Sequence, residues 1–256
     1  LQIRASCGDG RVLLVHGCGS FGHFQAHEYG ISKGTGWRTF SWLGFAKTRR
    51  SATKLNALIL DALLAAELPA VHLSPFPLWR KRAGRPTART AKAGVRHVRE
   101  LLRAGLMPVM HGDSVVDEAR GCGILSGDAL LEVLCLALKP KLAVFLTDVP
   151  GVYSKPPSEP GAELIPEIRV GRNRALSIPG AAGGAQQGGI ASSAAAHDVS
   201  GGLAAKLESA AVIAAAGVPV CIVQVGTPHA GRALAGRWPE VCTRVVRVGQ
   251  RDRIER

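Results

Sequence analysis

A glycine-rich turn follows the first apolar run of the chain and has the composition of a phosphate-binding loop. Residues 16–23 read His-Gly-Cys-Gly-Ser-Phe-Gly-His and come directly after the run Val12–His16. Glycines let a backbone approach an anion with its N–H groups pointing at it, and a helix that begins after the loop adds its positive end. The sequence therefore predicts an anion site built on Gly17, Gly19 and Gly22.

A histidine closes this loop. The imidazole of His23 can donate a hydrogen bond to a phosphate oxygen, and its charge can respond to that phosphate. The spacing of His23 and His27 also fits a metal pair, but no third ligand and no HExxH pattern accompany it, which argues against zinc. The glycines also spell GxGxxG, yet residues 37–47 contain no Asp or Glu of the kind that a dinucleotide fold requires. A tight turn without a ligand is the structural alternative.

A second turn, Ser126-Gly127-Asp128, opens a predicted helix over Gly127–Leu138. Ser126 can cap that helix through its hydroxyl, and Gly127 can expose backbone N–H groups to a ligand. An ordinary helix N-cap with no ligand is the competing interpretation.

A third motif, Thr-Asp-Val-Pro-Gly-Val-Tyr at residues 147–153, follows the most apolar run, Leu142–Thr147. An acid at the carboxyl end of a parallel strand, here Asp148, is placed to meet a nucleotide. Because Pro-Gly is also a strong β-turn signal, a plain turn is the alternative.

A fourth motif, residues 197–206, combines glycines with a lysine near the start of a predicted helix, Gly202–Ala216. Lys206 lies about one turn into that helix, where it can neutralise charge on a transferring phosphoryl group; a surface lysine is the alternative. No GxxxxGK[ST] sequence occurs, which excludes a P-loop protein. Glycine turns joined to helices of one sheet predict two phosphate-bearing ligands, and therefore a phosphotransferase whose acceptor stays open.

A sheet must position these motifs, and the apolar pattern predicts one. Short runs that are apolar on both faces alternate with helical periodicity. The predicted strands are Val12–His16, Ala70–Leu73, Met107–His111, Leu142–Thr147 and Val218–Val225, and the predicted helices are 51–68, 90–104, 127–138 and 202–216. This alternation predicts the α/β class, with a mostly parallel sheet covered on both faces and ligands at the carboxyl ends of its strands.

Composition places the chain among globular proteins and narrows its function. Its 256 residues are 46% hydrophobic, 20% charged and 5% aromatic, with a net charge of +13. The basic residues are scattered, and neither a zinc finger nor an RNP sequence accompanies them. A solvated basic surface is the favoured interpretation, attraction of anionic substrates is the second, and nucleic-acid binding rests on charge alone. The six cysteines form no CxxC pair, which is typical of reduced thiols.

Two segments need a separate interpretation. Residues 209–227 carry no charge, but Gly217, Val218 and Pro219 interrupt them. We therefore predict a helix, a turn and a buried strand there rather than a membrane span. Residues 171–196 are rich in Gly, Ala, Ser and Gln with little periodicity, so we predict a flexible surface insertion.

Taken together, these motifs resemble those of the isopentenyl phosphate kinases, in the amino-acid-kinase superfamily. The first loop resembles HGxGSFGH, with His23 at the histidine that marks this branch. In the same order, the other segments resemble the strand and GD turn (108–113), ISGD (126–128), TDVxGVY (147–153) and DxTGGMxxK (198–206). The resemblance covers almost the whole chain, and residues 144–160 look more like the plant and algal members than the archaeal ones.

The resemblance implies a three-layer αβα sandwich with an open, mostly parallel central sheet. It implies a single domain over 1–256, with an acceptor lobe over about 1–140 and an ATP lobe over about 141–256. The implied activity is direct in-line transfer of the γ-phosphate of MgATP to isopentenyl phosphate, giving isopentenyl diphosphate. Dimethylallyl phosphate is a second implied acceptor. A homodimer in the cytoplasm, with no nucleic-acid partner, is expected.

The resemblance also implies roles for individual residues. Those implied to contact the phosphate acceptor are Cys18, Gly22, His23 and Gly127. Those implied to contact ATP are Gly17, Gly19, Asp148, Tyr153, Gly201, Gly202 and Lys206. Catalytic roles are implied for His23, Lys206 and Asp128, with no protein-bound metal, because ATP carries the magnesium. An apolar pocket for the isopentenyl tail is expected to include Phe45 and Ile124.

Departures from the family pattern lead to further expectations. The family opens with a strand and a KxGGS loop that holds the ATP phosphates, whereas the residues before Val12 contain no lysine and only Gly8 and Gly10. Because the chain also begins at Leu1 rather than Met, we expect a truncated N-terminus, and loss of that lysine would cost about 10²-fold or more in rate. A catalytically inactive nucleotide-binding protein, or an enzyme of this fold with another acceptor, is the alternative. Cys18 stands where the family usually has a small residue such as Ala, which still fits.

Overall fold

The structure is a computed structural model that describes residues 11–31, 42–179, 201–250 and 254. The chain divides into two compact units, and the division falls between Leu134 and Cys135. We refer to them as the N-terminal unit and the C-terminal unit.

The N-terminal unit contains two sheets and most of the long helices. In chain order its elements are β1 (Leu14–His16), α1 (Gly19–Glu28), α2 (Trp42–Ala65), β2 (Ala70–His72), β3 (Lys81–Arg82), β4 (Arg85–Pro86), α3 (Ala88–Arg103), β5 (Met107–His111), β6 (Asp113–Asp117), β7 (Gly121–Leu125) and α4 (Gly127–Leu138), within which the division between the units falls.

The first sheet of this unit is parallel throughout, with β5 between β1 and β2. Every residue of β5 is buried, as its apolar sequence predicts for a central parallel strand. Helix α2 packs against β2 and β5, α3 packs against β5, and α1 packs against α2. The carboxyl ends of the three strands therefore lie at one edge of the sheet, where the loops of the candidate site begin.

The second sheet has the order β4-β3-β6-β7 and consists mostly of tight hairpins. A buried carboxylate closes the hairpin of β3 and β4: Asp117 accepts backbone N–H groups from Ala83 at 3.1 Å and from Gly84 at 2.7 Å. It also accepts the N–H groups of Ala119 and Arg120 in the turn that follows β6. One aspartate therefore holds two turns.

Helix α3 has a small, buried inner face and a basic outer face. Within the helix, Gly94 lies against the indole of Trp79, and a Cβ added there would be 2.4 Å from the ring, so no larger residue fits without rearrangement. The exposed face carries a basic stripe spaced three and four residues apart, formed by Arg89, Lys92, Arg96, Arg99 and Arg103. Residues at this spacing share one side of a helix.

The C-terminal unit is built on one mixed sheet. In chain order its elements are β8 (Ala143–Thr147), β9 (Glu167–Val170), β10 (Leu176–Ser177), α5 (Gly201–Ala215), β11 (Val220–Gln224), α6 (Pro228–Leu234) and β12 (Thr243–Arg247). The strand order is β10-β9-β12-β11-β8, in which β8 is parallel to β11 and β9 is parallel to β12.

Helices cover both faces of this sheet. On one face, Cys221 and Val223 pack with Ala230 and Ala233 of α6. The alternate residues of β11 point to the other face, and α5 packs against β9, β11 and β12. The unit therefore has three layers, as the predicted α/β class requires.

Most predicted elements are present, with one clear error at a helix start. Strand Met107–His111 and helix Gly127–Leu138 have the predicted bounds, whereas α2 begins at Trp42 rather than at residue 51. The first two turns of α2 bury Gly44, Phe45 and Thr48. A glycine and a threonine at buried positions hide the apolar periodicity on which the sequence prediction depended.

The predictions for the two unusual segments have different outcomes. Residues 209–227 form the end of α5, a turn with Gly217 at φ +84° and strand β11, as predicted. Across the ranges described above, no helix is long and apolar enough to cross a membrane. Of the predicted insertion 171–196, residues 171–179 form a turn and β10, and the remainder lies outside the described residues.

Candidate active site

The first glycine loop joins β1 to α1 by a short turn that only small residues allow. Helix α1 begins at Gly19, whose φ of +49° lies in the region that favours glycine. Cys18 occupies the N-cap position but makes no side-chain hydrogen bond to the helix. Gly22 is buried one turn further on, where an added Cβ would lie 2.6 Å from the Cβ of Cys18. The glycines of this turn therefore have no side chain between their N–H groups and a ligand at the helix N-terminus.

Three glycine turns converge at the carboxyl ends of β1 and β5. The N–H of Gly112 donates to the carbonyl of His16 at 2.9 Å, and the thiol of Cys18 donates to the carbonyl of Gly112 at 2.6 Å. The turn before α4 completes the group, because a Cβ on Gly127 would lie 3.1 Å from the oxygen of His16. The structure thus brings together the predicted residues Cys18, Gly22 and Gly127, and adds Gly112.

The thiol of Cys18 is a hydrogen-bond donor rather than a nucleophile. Burial, together with the nearby carboxylate of Asp113, raises its pKa to about 11. The group therefore keeps its proton at neutral pH, which its hydrogen bond to the Gly112 carbonyl requires.

A buried ion pair lies directly after the Gly112 turn. The Nε atom of Arg49 on α2 is 3.1 Å from both carboxylate oxygens of Asp113, which has a fully buried side chain. The same guanidinium donates to Ser74 at 3.0 Å and stacks 4.3 Å above the ring of Phe76. The pair connects α2 to the start of β6, so it fixes the helix against the edge of the sheet that carries the glycine turns.

An apolar cluster lies beside this ion pair. Phe45, expected to line a tail pocket, packs edge-on against Phe76 with ring centroids 5.5 Å apart. Ile124, the other expected lining residue, packs against the same cluster, whose buried members are Ala26, Ile31, Phe45 and Cys122. The cluster therefore lies in the same unit as the glycine turns.

Sequence reasoning missed a set of histidines at this edge. Strands β1, β2 and β5 end in His16, His72 and His111, and the rings of His16 and His111 are 5.7 Å apart. The signal was present in the sequence, since each of the three predicted strands contains a histidine at or near its carboxyl end. It was overlooked because a single histidine after an apolar run has no specific meaning.

The structure gives His23 and Asp128 a place in a helix and tests no catalytic role for either. His23 lies in the second turn of α1, and the position of its side chain is outside the described part of the structure. Asp128 lies in the first turn of α4, immediately after Gly127. The catalytic roles expected for both stay predictions.

Of the residues implied to contact ATP, Gly17 and Gly19 lie in the first glycine loop of the N-terminal unit, and the other five lie in the C-terminal unit. Asp148 follows β8 directly and is exposed, and its carbonyl accepts the side-chain N–H of Gln224 from the end of β11 at 2.9 Å. Beyond the Pro-Gly turn, Gly151 lies so close to Thr243 that an added Cβ would be 2.4 Å from its hydroxyl oxygen. Tyr153 then forms a bridge with Leu164.

The helix that carries the predicted lysine begins with the predicted glycines. Gly201 and Gly202 are the first two residues of α5, and Lys206 lies in its second turn with a half-buried side chain. A helix start free of large side chains is suited to phosphate oxygens, and a lysine one turn later adds positive charge.

A cavity of about 310 Å³ in the C-terminal unit lies away from these residues. Its lining consists of Pro166, Arg232, Trp238, Pro239, Glu240, Cys242 and Arg244. Arg244 is already 3.8 Å from the carboxylate of Glu167, and none of the predicted site residues takes part. We assign the chemistry to the glycine turns instead, because their backbone geometry is the one that phosphate groups require.

The chain is similar to known proteins over most of its length. The Amino acid kinase family matches residues 2–224. Isopentenyl phosphate kinase of Arabidopsis thaliana is 42% identical over 228 residues, covering 88% of this chain and 68% of the relative. The isopentenyl phosphate kinase of Methanothermobacter thermautotrophicus is 33% identical over 235 residues, with 88% and 80% covered. A solved structure described as "X-ray structures of isopentenyl phosphate kinase" has a TM-score of 0.71 at 30% identity, covering 91% of this chain and 83% of that one.

Proposed function

The chain belongs to the amino acid kinase family, and we propose that it is an ATP-dependent kinase of isopentenyl phosphate. The observation that carries the proposal is the convergence of the turns at Cys18, Gly112 and Gly127 in a chain 42% identical to an isopentenyl phosphate kinase. The fold class expected from the sequence is the one that this family has.

The acceptor phosphate binds at the glycine turns of the N-terminal unit. Backbone N–H groups at the start of α1 hold its oxygens, and His23 donates a further hydrogen bond. The isopentenyl tail lies against the cluster that contains Phe45 and Ile124, since a five-carbon chain needs an apolar surface. Dimethylallyl phosphate has the same charge and size and is a second acceptor.

The nucleotide binds in the C-terminal unit as MgATP, with the metal carried by the substrate. Asp148, Tyr153 and the start of α5 provide its contacts, and Lys206 neutralises charge on the transferring group. An oxygen of the acceptor phosphate attacks the γ-phosphorus, the bond from that phosphorus to the β-phosphate oxygen breaks, and ADP leaves. The protein contributes position and charge and forms no covalent intermediate. A homodimer in the cytoplasm is part of the same proposal.

The test is ADP release from MgATP with and without isopentenyl phosphate. We expect ADP release that depends on this acceptor. We also expect kcat of Lys206→Ala to fall by about 10²-fold or more, because the variant lacks the positive charge that neutralises the transferring group. Lys54→Ala is the matched control, since Lys54 is exposed on α2. Glutamate and inorganic phosphate serve as alternative acceptors. ADP release with glutamate but not with isopentenyl phosphate would overturn the proposal, and nucleotide binding with no turnover of any acceptor would identify an inactive binding protein.

A further inference from the structure

Three histidines form a connected row at the edge of the parallel sheet. His16 and His111 are paired directly across β1 and β5, so their side chains point to the same face. His72 ends the third strand, and its ring stacks on that of His111 with centroids 5.2 Å apart. The row therefore runs across all three strands, immediately below the Gly17 and Gly112 turns.

Carbonyl acceptors fix which nitrogen of each ring carries hydrogen. The Nδ1 atom of His111 is 2.9 Å from the carbonyl oxygen of Gly112, and that of His16 is 2.9 Å from the oxygen of Gly17. A carbonyl oxygen accepts and never donates, so Nδ1 carries hydrogen in both rings. If the ring of His111 is neutral, its other nitrogen, Nε2, then has a lone pair and accepts.

The outer histidine completes this pattern for His111. The Nε2 atom of His111 is 3.1 Å from Nε2 of His72, and one of these two nitrogens must donate a hydrogen to the other. Because His111 already carries hydrogen on Nδ1, His72 donates from Nε2. His16 is held from the other side by the buried Asn56, whose side-chain oxygen Oδ1 lies 3.1 Å from Nε2 of His16 and accepts its hydrogen. Both ring nitrogens of His16 therefore face acceptors, and its Nδ1 still donates to the Gly17 carbonyl.

Both hydrogen-bonded carbonyls act on the same residue of the loop. The Gly17 carbonyl belongs to the peptide that carries the N–H of Cys18, and in a trans peptide these two groups point in opposite directions. The Gly112 carbonyl accepts a hydrogen bond from the thiol of Cys18 and another from Nδ1 of His111. One histidine thus sets the direction of the Cys18 N–H, and the other sets the place of its side chain.

We propose that His16 and His111 are positioning residues for the acceptor loop, and that His72 holds His111 in the tautomer that this task requires. The proposal rests on the proposed function, because the group that the loop receives is the acceptor phosphate. None of the three rings needs to touch that phosphate. Their effect passes through the carbonyls of Gly17 and Gly112 to the backbone of Cys18.

The charges around His72 and His111 agree with neutral rings for these two residues. Burial lowers the pKa of His72, and the neighbouring His111, Arg49 and His16 lower it further, against the carboxylate of Asp113. Burial also lowers the pKa of His111, against its hydrogen bond to Gly112 and the same carboxylate. With both rings neutral, a single hydrogen lies between the two Nε2 atoms, as their separation requires.

The first test reads the tautomers directly and needs no activity. Long-range ¹H–¹⁵N NMR of ring-labelled protein should show hydrogen on Nδ1 and none on Nε2 for His111, hydrogen on Nδ1 for His16, and hydrogen on Nε2 for His72. A titration with inorganic phosphate should shift the backbone amide of Cys18. A bare Nδ1 in His111 or His16 would overturn the proposal, whatever acceptor the enzyme uses.

The second test separates positioning from a general structural role. Asparagine places a side-chain N–H where Nδ1 of histidine lies, whereas glutamine reaches the place of Nε2. We expect His111→Gln to lower kcat/KM for isopentenyl phosphate by about 10- to 100-fold, mainly through KM, while the KM for MgATP is unchanged. His111→Asn should recover most of that loss, and His16→Gln and His16→Asn should behave in the same way.

The controls keep the two proposals distinguishable. His97→Gln, on the exposed face of α3, should change nothing. Equal losses in the Asn and Gln variants, or losses that follow the melting temperature, would reject the positioning role. A wild-type enzyme that does not use isopentenyl phosphate would reject the proposed function alone, because the tautomers and the phosphate titration still decide the role of the histidines.

Discussion

The residues of the acceptor loop are small for two different reasons. At Gly22 a side chain would collide with the loop itself, since its Cβ would lie 2.6 Å from the Cβ of Cys18. At Gly17 the nearest atom to an added Cβ is the nitrogen of Gly19, at 4.0 Å, so the fold leaves room. Gly22 is therefore required for packing, whereas Gly17 leaves open the space that a ligand would occupy.

This difference predicts opposite effects for two alanine variants. Gly22→Ala should lower the free energy of unfolding by about 1–3 kcal/mol, because the added methyl group overpacks a buried turn. Gly17→Ala should leave stability nearly unchanged but raise the KM for isopentenyl phosphate. Urea unfolding and steady-state kinetics measure the two effects, and equal stability of the two variants would contradict the argument.

At the scale of elements, β3 and β4 depend on one carboxylate more than on their own pairing. Burial raises the pKa of Asp117, but the N–H groups of Gly84, Ala119, Arg120 and Ala83 outweigh it, and the pKa lies below its ordinary value. The strands β3 and β4 have two residues each and therefore little pairing of their own, so these hydrogen bonds are the main attachment of the hairpin.

We expect Asp117→Asn to destabilise the protein by about 3 kcal/mol, because hydrogen bonds to a charged group are replaced by weaker ones and an amide cannot accept at both ends. The contribution of the carboxylate is fully present above its unfolded pKa of about 3.9 and is lost as pH falls through the folded value. The difference between wild type and variant should therefore shrink in acid. Asp61→Asn, exposed on α2, is the control, and a pH-independent difference would argue against the charge.

Two of the strands that the sequence did not predict have few apolar residues. A strand such as Met107–His111 was predicted because all its residues before the terminal histidine are apolar. Strands β6 and β7 contain buried Asp113, Ser114 and Asp117 and two glycines, and this composition resembles a loop. The glycine turns were predicted from their spacing, whereas the histidine row depends on strand order, which no local pattern contains.

At the scale of the whole molecule, the histidine row makes stability depend on pH in a defined direction. The pKa values of His72 and His111 are lowered in the folded state, mainly by burial, so the unfolded chain binds more protons as the solution becomes acidic. By linkage, the stability from neutral rings is fully present above the unfolded histidine pKa of about 6.5 and declines as pH falls below it.

This predicts that the wild-type protein loses more stability between pH 8 and pH 5.5 than His72→Gln does. Glutamine does not titrate, so one of the two groups that bind protons on unfolding is removed. Urea unfolding at several pH values between about 5 and 8 gives both slopes. Identical slopes for the two proteins would show that His72 is not a source of the dependence.

The buried indoles have a consequence for how unfolding can be observed. Trp79 lies under Gly94 in the N-terminal unit, and Trp238 lies in the core of the C-terminal unit, each at most 3% exposed. The chain has four tryptophans, so replacing Trp37 and Trp42 by phenylalanine leaves these two. Replacing either Trp79 or Trp238 as well gives two variants, each with a single tryptophan whose fluorescence reports on one unit. Denaturant titrations of the two variants then show whether the units lose their structure at one midpoint or at two.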